Sequence, residues 1–155
     1  IANAQVANTS AETSLVGSGI GERTLRSVDV VAGMRIWCRA RGVISTAATP
    51  GNLTLRYKLG PTIILSATFL PAASLANRLW VVDFETVIRA IGMSGQLICA
   101  GELRIAGSAR DFVTAAIIPV DFTVDRLVDL MAEWATASPS NNMRSGQFTL
   151  EFHRY

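Results

Sequence analysis

Residues 125–142 read DRLVDLMAEWATASPSNN, and two incompatible periods run through them. Leu127, Leu130, Met131 and Trp134 recur at i, i+3, i+4 and i+7, the apolar stripe of an amphipathic helix. A helix would also stack Asp125, Asp129 and Glu133 at i, i+4 and i+8, which invites an acid pair or a metal site. Val128, Leu130, Ala132 and Trp134 equally alternate with Asp129, Met131 and Glu133, the pattern of a half-buried strand. The choice decides both the fold and whether the chain carries a catalytic-looking feature.

The flanks favour the strand. PVDFTVD just upstream alternates through Val120, Phe122 and Val124, and SPSNN (138–142) is a hairpin-type loop leading straight into a final alternating segment, GQFTLEFHRY. Leu, Met, Ala and Glu are good helix formers, which keeps the helix open as the alternative. As a strand, the segment separates Asp129 from Glu133 by about 13 Å at 3.3 Å per residue. That is too far for a shared proton or a common metal, so both become solvent-facing charges opposite Arg or His on neighbouring strands.

Further out, the same alternation repeats between Gly, Pro, Ser and Asn turns. ERTLRSV, MRIWCRARGVIST, LTLRYKL, TIILSAT, RLWVVDFETVIRAI and QLICAGELRIAG each offer one apolar face. Ile36, Cys38, Ala40 and Ile44 oppose Arg35, Trp37, Arg39 and Arg41; Trp80, Val82, Phe84, Thr86 and Ile88 form another inward row. No regular helices of βαβ type separate these segments. The pattern predicts an all-β antiparallel β-sandwich, jelly-roll-like, of about eight or nine strands. Residues 1–14, IANAQVANTSAETS, show no sustained period and read as an extended N-terminal arm ahead of one domain at 15–155.

Composition narrows the function. Half of the 155 residues are apolar and 17% are charged, so the chain should fold. A net charge of +2 with no basic run argues against nucleic acid. No apolar stretch reaches the roughly 18 to 20 residues of a membrane span. No N-terminal stretch reads as a signal peptide, and the start at Ile1 without Met implies a preceding piece. Cys38 and Cys99 read as small core residues kept reduced.

The inventory for chemistry is poor. His153 lies on the polar face of the last strand, while both cysteines lie on core faces, where a thiol stays protonated and inert. No C-x-x-C or H-x-x-x-H spacing supports zinc. GSGIGER (17–23) lacks a following helix to make a phosphate loop, and SPSNN has too few carboxylates for calcium. No cofactor, metal site or catalytic residue is expected, and no enzyme. Trp80 and Trp134 read as core. Trp37, beside Arg35, Arg39 and Arg41 on an outward face, has the composition of a subunit interface, with packing under a loop or the arm as the alternative. Those arginines would pair with Asp83 and Glu85 if their strands are neighbours.

In order along the chain, ETSLVGSGIGERTL (12–25), MRIWCRARGVIST (34–46), LTLRYKLG (53–60), LWVVDFETVIR (79–89), GQLICAGELRIAG (95–107) and AEWATASPSNNMRSGQFTLE (132–151) resemble a class of tailed-bacteriophage virion proteins. A glycine-turn first hairpin, a strand with an aromatic after a G-x-x-I/W start, and a W-x-T-A-S-x-x-N hairpin recur in that class. The last matches Trp134, Thr136, Ala137 and Ser138; where the class carries Thr and Val, this chain has RLVDLMAE. The resemblance implies a jelly-roll or similar sandwich, usually a trimer, on the capsid surface as a decoration protein or at a fibre tip. It brings no catalytic residues. The expected partners are the chain itself as a homo-oligomer, a major capsid protein or other virion component, and, on the fibre-tip alternative, a host-surface glycan. The expected location is the virion, and the arm would gain order by lying on an adjacent subunit.

Overall fold

Arg126–Trp134 is a strand, and its burial alternates as the period-two reading requires, with Val128, Leu130, Ala132 and Trp134 inward. Its neighbour is the LTLRYKL segment, in a register running from Val128 opposite Leu59 to Trp134 opposite Leu53. Helix propensity loses here because the apolar row has a sheet face to join, and burial of each large side chain contributes about 1.5–3 kcal/mol. Propensity differences are only tenths of a kcal/mol per residue.

The computed structural model describes residues 4–17, 23–113 and 116–154. In chain order its strands are β1 (Gln5–Ala7), β2 (Thr13–Ser14), β3 (Thr24–Leu25), β4 (Arg35–Ser45), β5 (Leu53–Leu59), β6 (Thr62–Phe69), β7 (Arg78–Ala90), β8 (Gly95–Ile105), β9 (Ser108–Val113), β10 (Ile118–Val120), β11 (Arg126–Trp134) and β12 (Asn142–His153). One 3-10 turn, Ser27–Asp29, precedes β4. Seven strands form one sheet, ordered β1-β12-β4-β7-β8-β10 with β9 also on β8; five form the other, ordered β2-β11-β5-β6 with β3 also on β11. All pairings are antiparallel. Consecutive strands β4 and β5 pair with β12 and β11, one in each sheet of the antiparallel sandwich, so the end of the chain returns to its first long strands.

The strands beyond the expected eight or nine are the short ones. Two- and three-residue strands carry too few positions to show a period. β9 was missed because SARDFV sets Arg110 and Asp111 beside a lone buried aromatic, Phe112. ERTLRSV is a strand only at Thr24–Leu25. PVDFTVD ends as a strand at Val120; Phe122 is buried from a loop whose N–H donates to Gly92 O at 3.0 Å, and Val124 is exposed. The arm segment, where described, does not lie free of the domain. β1 pairs with β12 and β2 with β11, so it adds an edge strand to each of its own sheets.

Between the sheets pack Trp80, Trp134, Tyr57, Leu15, Leu25, Met34, Ile36 and Ile44, all essentially without solvent contact. Each tryptophan finds an acceptor: Trp80 Nε1 donates to Arg144 O at 3.1 Å and Trp134 Nε1 to Val6 O at 3.3 Å. Gly42 lets the β12 backbone come close, and the Arg144 carbonyl that fills the space is the one that accepts from Trp80. Gly42 faces Trp80 in register and Ser145 on its other side, where Gly146 is an extra residue in β12. A Cβ at Gly42 would stand 1.9 Å from Arg144 O, so only glycine fits.

The W-x-T-A-S-x-x-N hairpin closes on Asn141, whose side chain is fully buried. Its Oδ1 accepts from Ala47 N at 3.0 Å, and its Nδ2 donates to Pro50 O at 2.7 Å and Thr136 O at 3.2 Å. Its backbone N–H donates to Ser138 O at 3.0 Å, and its carbonyl accepts from Asn8 N at 3.2 Å. Through its side chain and its backbone carbonyl, Asn141 thus ties the β4–β5 loop and the arm to its own hairpin, at backbone groups that have no ladder partners.

Candidate functional site

β4 lies between β12 and β7, which places Arg35, Trp37, Arg39 and Arg41 together on the outer face of the larger sheet. The arginines pair across the strands. Arg35 Nη1 donates to Glu85 Oε1 at 2.9 Å, Arg39 Nε to Asp83 Oδ2 at 3.2 Å, and Arg41 Nε to Gln147 Oε1 at 2.5 Å. Arg39 also approaches Glu151 at 3.9 Å. The pairing with Asp83 and Glu85 follows from β4 and β7 being neighbours. These groups stand in water, so each pair contributes only about 0.2–1 kcal/mol and mainly fixes side-chain direction.

Trp37 is half-buried among these charges. The Arg39 guanidinium carbon lies 4.7 Å from its ring centroid, and the His153 ring stands 5.1 Å away, tilted by 48°. Among the described residues, the indole is flanked by side chains of its own face. It offers no open platform for a sugar ring. Of the two tyrosines, Tyr57 is buried and Tyr155 lies outside the described residues.

Between β12, β4 and β7 this face hollows into a groove of about 380 Å³. Arg39, Arg41, Asp83, Gln147, Thr149 and Glu151 line it, with Val81 as an apolar patch. Two guanidinium groups offset two carboxylates, so the groove presents hydrogen-bonding groups without net charge. That suits a neutral polar ligand better than a phosphate or a carboxylate.

Elsewhere the titratable groups are occupied with structure. Cys38 faces inward, and burial pushes its thiol far above the ordinary range; His153 faces outward from the same sheet, so no Cys–His pair forms. Burial raises the Cys99 thiol to about 11, opposed by the Thr86 hydroxyl at 3.2 Å. Asp129 accepts from Ser14 Oγ at 2.6 Å, and Glu133 from Arg56 Nη1 at 2.6 Å, a bond that raises the Arg56 pKa. Asp125 accepts from Ser27 N at 2.8 Å. The three carboxylates of the opening stretch are thus dispersed to separate partners. Glu102 is held below its usual range by Arg104, which grips it at 2.7 Å through two nitrogens. Among the described residues no group of three or more His, Cys, Asp or Glu could hold a metal ion, and no helix is long and apolar enough to cross a membrane. Most of GSGIGER lies outside the described residues.

A second surface lies in the turns, where side-chain periodicity carries no signal. At the end of the sandwich where β4, β8 and β11 begin, Val28 is 88% exposed, Met93 77%, Ile91 53%, Val124 48% and Val31 38%. Their loops are tied together: Gly33 N donates to Ile88 O, Phe122 N to Gly92 O and Ser27 N to Asp125 Oδ1. The signal available in sequence was an apolar residue inside a turn, as in IGMSG (91–95), where nothing in the fold calls for one.

No family model matches this chain, and no curated protein matches it. Among solved structures it is similar to the CBM2 module of Lactobacillus casei BL23 phage J-1 evolved Dit, at 12% identity and a TM-score of 0.32. That likeness covers 97% of this chain and 76% of the other. At this level it carries no argument about function.

Proposed function

We propose that this chain is a structural module of a bacteriophage virion protein, acting through contact surfaces and not as an enzyme. In its fuller form the reading is an oligomeric, trimeric decoration protein on the capsid surface that stabilises the particle. The observation that carries it is the apolar loop end, where Val28, Val31, Ile91, Met93 and Val124 stand in water on loops bonded to one another. Scattered surface apolar residues need no explanation, but several at one end of the fold, on loops bonded to one another, have the composition of a protein–protein contact. The sequence resemblance to phage virion proteins supplies the class of partner. Ile91→Asp with Met93→Asp tests it. The double variant should keep the wild-type melting temperature and lose at least tenfold in self-association or in binding to phage particles. A wild-type protein that stays monomeric and ignores capsids contradicts the reading.

The neutral groove on the outer face favours a second reading, a receptor- or carbohydrate-binding module at a fibre tip. Vicinal hydroxyls match its paired guanidinium, amide and carboxylate groups. A glycan array with no hits removes this alternative, and Arg41→Ala should abolish any hit found.

A further inference from the structure

The loops at one end of the sandwich carry no charge. Residues 8–11, 46–52, 70–77, 105–109 and 135–142 hold none of the 14 Lys and Arg, the 12 Asp and Glu or the single His of the chain. Backbone hydrogen bonds tie these loops together: Asn8 N donates to Asn141 O, Thr46 N to Leu75 O, Ser74 N to Ala47 O and Ala135 N to Asn52 O. Side chains stiffen them further. Thr46 Oγ1 donates to Ala72 O at 2.7 Å and accepts from Leu75 N at 2.8 Å, and Asn141 Nδ2 donates to Pro50 O. Of the charges that border the loops in sequence, Glu12 is bound by Arg56 and Lys58, Arg104 grips Glu102, and Arg110 lies over the Phe69 ring. The end is also apolar and uneven. Leu70, 62% exposed, stands between two hollows, one of about 530 Å³ against Ala48, Thr49 and Pro50, the other of about 400 Å³ floored by Leu103 and Ile105. Ala48, Ala72, Ala73, Ala76, Ala137 and Pro139 are exposed around it and have no side-chain entropy to lose on contact.

We propose that copies of this chain meet one another at this charge-free end, around a three-fold axis, and that the opposite end is left for a different partner. The number of copies rests on the trimeric reading given above; the choice of end does not. A rotation axis brings every side chain near it close to its own copies, so a charge there meets like charge. A surface that meets itself must therefore shed its charges, whereas one that meets another protein is free to oppose its charges to complementary ones. Loss of charge together with small and apolar residues is also the composition of an interface core. In the trimer Leu70 of each copy enters the hollow of about 530 Å³ on the next, a head-to-tail contact that closes after three. The loops of the opposite end carry Arg26, Asp29, Asp121 and Asp125 among their apolar residues, which suits a partner of another sequence.

Sedimentation equilibrium of the full chain tests this on the wild type, Leu70→Asp, Ala73→Glu and Ala73→Gln. Both positions are exposed, so each variant should keep the wild-type circular dichroism spectrum. The wild-type mass should approach three times 16.6 kDa. Leu70→Asp and Ala73→Glu each set like charges around the axis and should associate roughly tenfold more weakly, with part of the loss restored in about 1 M salt. Ala73→Gln, of the same size without the charge, should stay close to the wild type. Ile91→Asp with Met93→Asp, at the opposite end, should remain trimeric. A wild type that stays at 16.6 kDa overturns this proposal and the trimeric reading together, and a limiting mass of twice that value removes the three-fold axis. A Leu70→Asp protein as trimeric as the wild type overturns this proposal alone: the trimer then stands and its contact lies elsewhere. Equal losses in Ala73→Glu and Ala73→Gln refute the argument from charge. If Leu70→Asp does not fold, the two Ala73 variants make the same comparison.

Discussion

Asn141→Ala should cost this protein about 2–4 kcal/mol. The side chain is fully buried and serves three backbone groups: the Ala47 N–H, the Pro50 carbonyl and the Thr136 carbonyl. Thr136 is exposed, so water replaces that bond at little cost. Pro50 is buried and Ala47 half-buried, and a buried group left without its partner costs about 1–3 kcal/mol. The buried carbonyl at about 1–3 kcal/mol and the half-buried N–H at about 1 kcal/mol give the stated figure, equivalent to a fall of about 5–15 °C in melting temperature for a domain of this size. Calorimetry or urea unfolding measures it. Asn141→Asp sharpens the test because it keeps the shape. One oxygen still accepts from Ala47, while the other is aimed at two carbonyls and in ionised form repels both. Burial and those carbonyls raise that carboxyl's folded-state pKa above its unfolded value of about 3.9. A raised acid pKa stabilises the fold fully below the unfolded value, and the stabilisation is lost as pH rises through the folded one. Relative to wild type, the aspartate variant should therefore be closer in stability at pH 4.5 than at pH 7.5. An alanine variant within about 0.5 kcal/mol of wild type, or an aspartate variant with no added pH dependence, would refute the reasoning.

Gly42→Ala forces a Cβ to 1.9 Å from Arg144 O, so β4 and β12 must part and Trp80 must shift. The expected cost is about 1–3 kcal/mol or more, with a red shift of tryptophan emission as Trp80 gains water. The native thiols should resist an aromatic disulfide reagent at pH 8, since burial holds Cys38 far above and Cys99 at about 11, and both should react at once in denaturant. Because both folded-state values lie above those of free thiols, their contribution to stability is complete below about pH 9 and declines above it. A thiol that reacts at a free-thiol rate in the folded protein contradicts the burial described.

Most of the sandwich was legible because β4, β5, β7, β8, β11 and β12 are long enough for period two to show. The inward rows of β4, β5, β7, β8 and β11 are buried, Trp80 and Trp134 included, while on β12 Phe148 is buried and Leu150 and Phe152 are partly buried. The edges were less legible. β1 and β2 hold their places through the backbone of β12 and β11, and backbone hydrogen bonds leave no trace in side-chain pattern. β9 is charged for the reason edge strands are charged, and charge hides the strand signal. For the candidate site, the row Arg35, Trp37, Arg39 and Arg41 was visible as one face of one strand. Its partners on β12, Gln147, Thr149 and Glu151, were not, because they lie more than a hundred residues away.

The sequence by itself determined an all-β chain and the inward and outward face of each long strand. Local side-chain periodicity decides those matters, and it is written along the chain. Only the tertiary structure decided what each outward face confronts. β4 between β12 and β7 pairs its arginines and sets His153 beside Trp37; Gly92 beside Phe122 gathers scattered turn residues into an apolar end; and β6 is left at the rim of its sheet. Those outcomes depend on which strand lies next to which. That order is set by packing and backbone pairing between segments far apart in the chain, so the same residues in another strand order would make different surfaces.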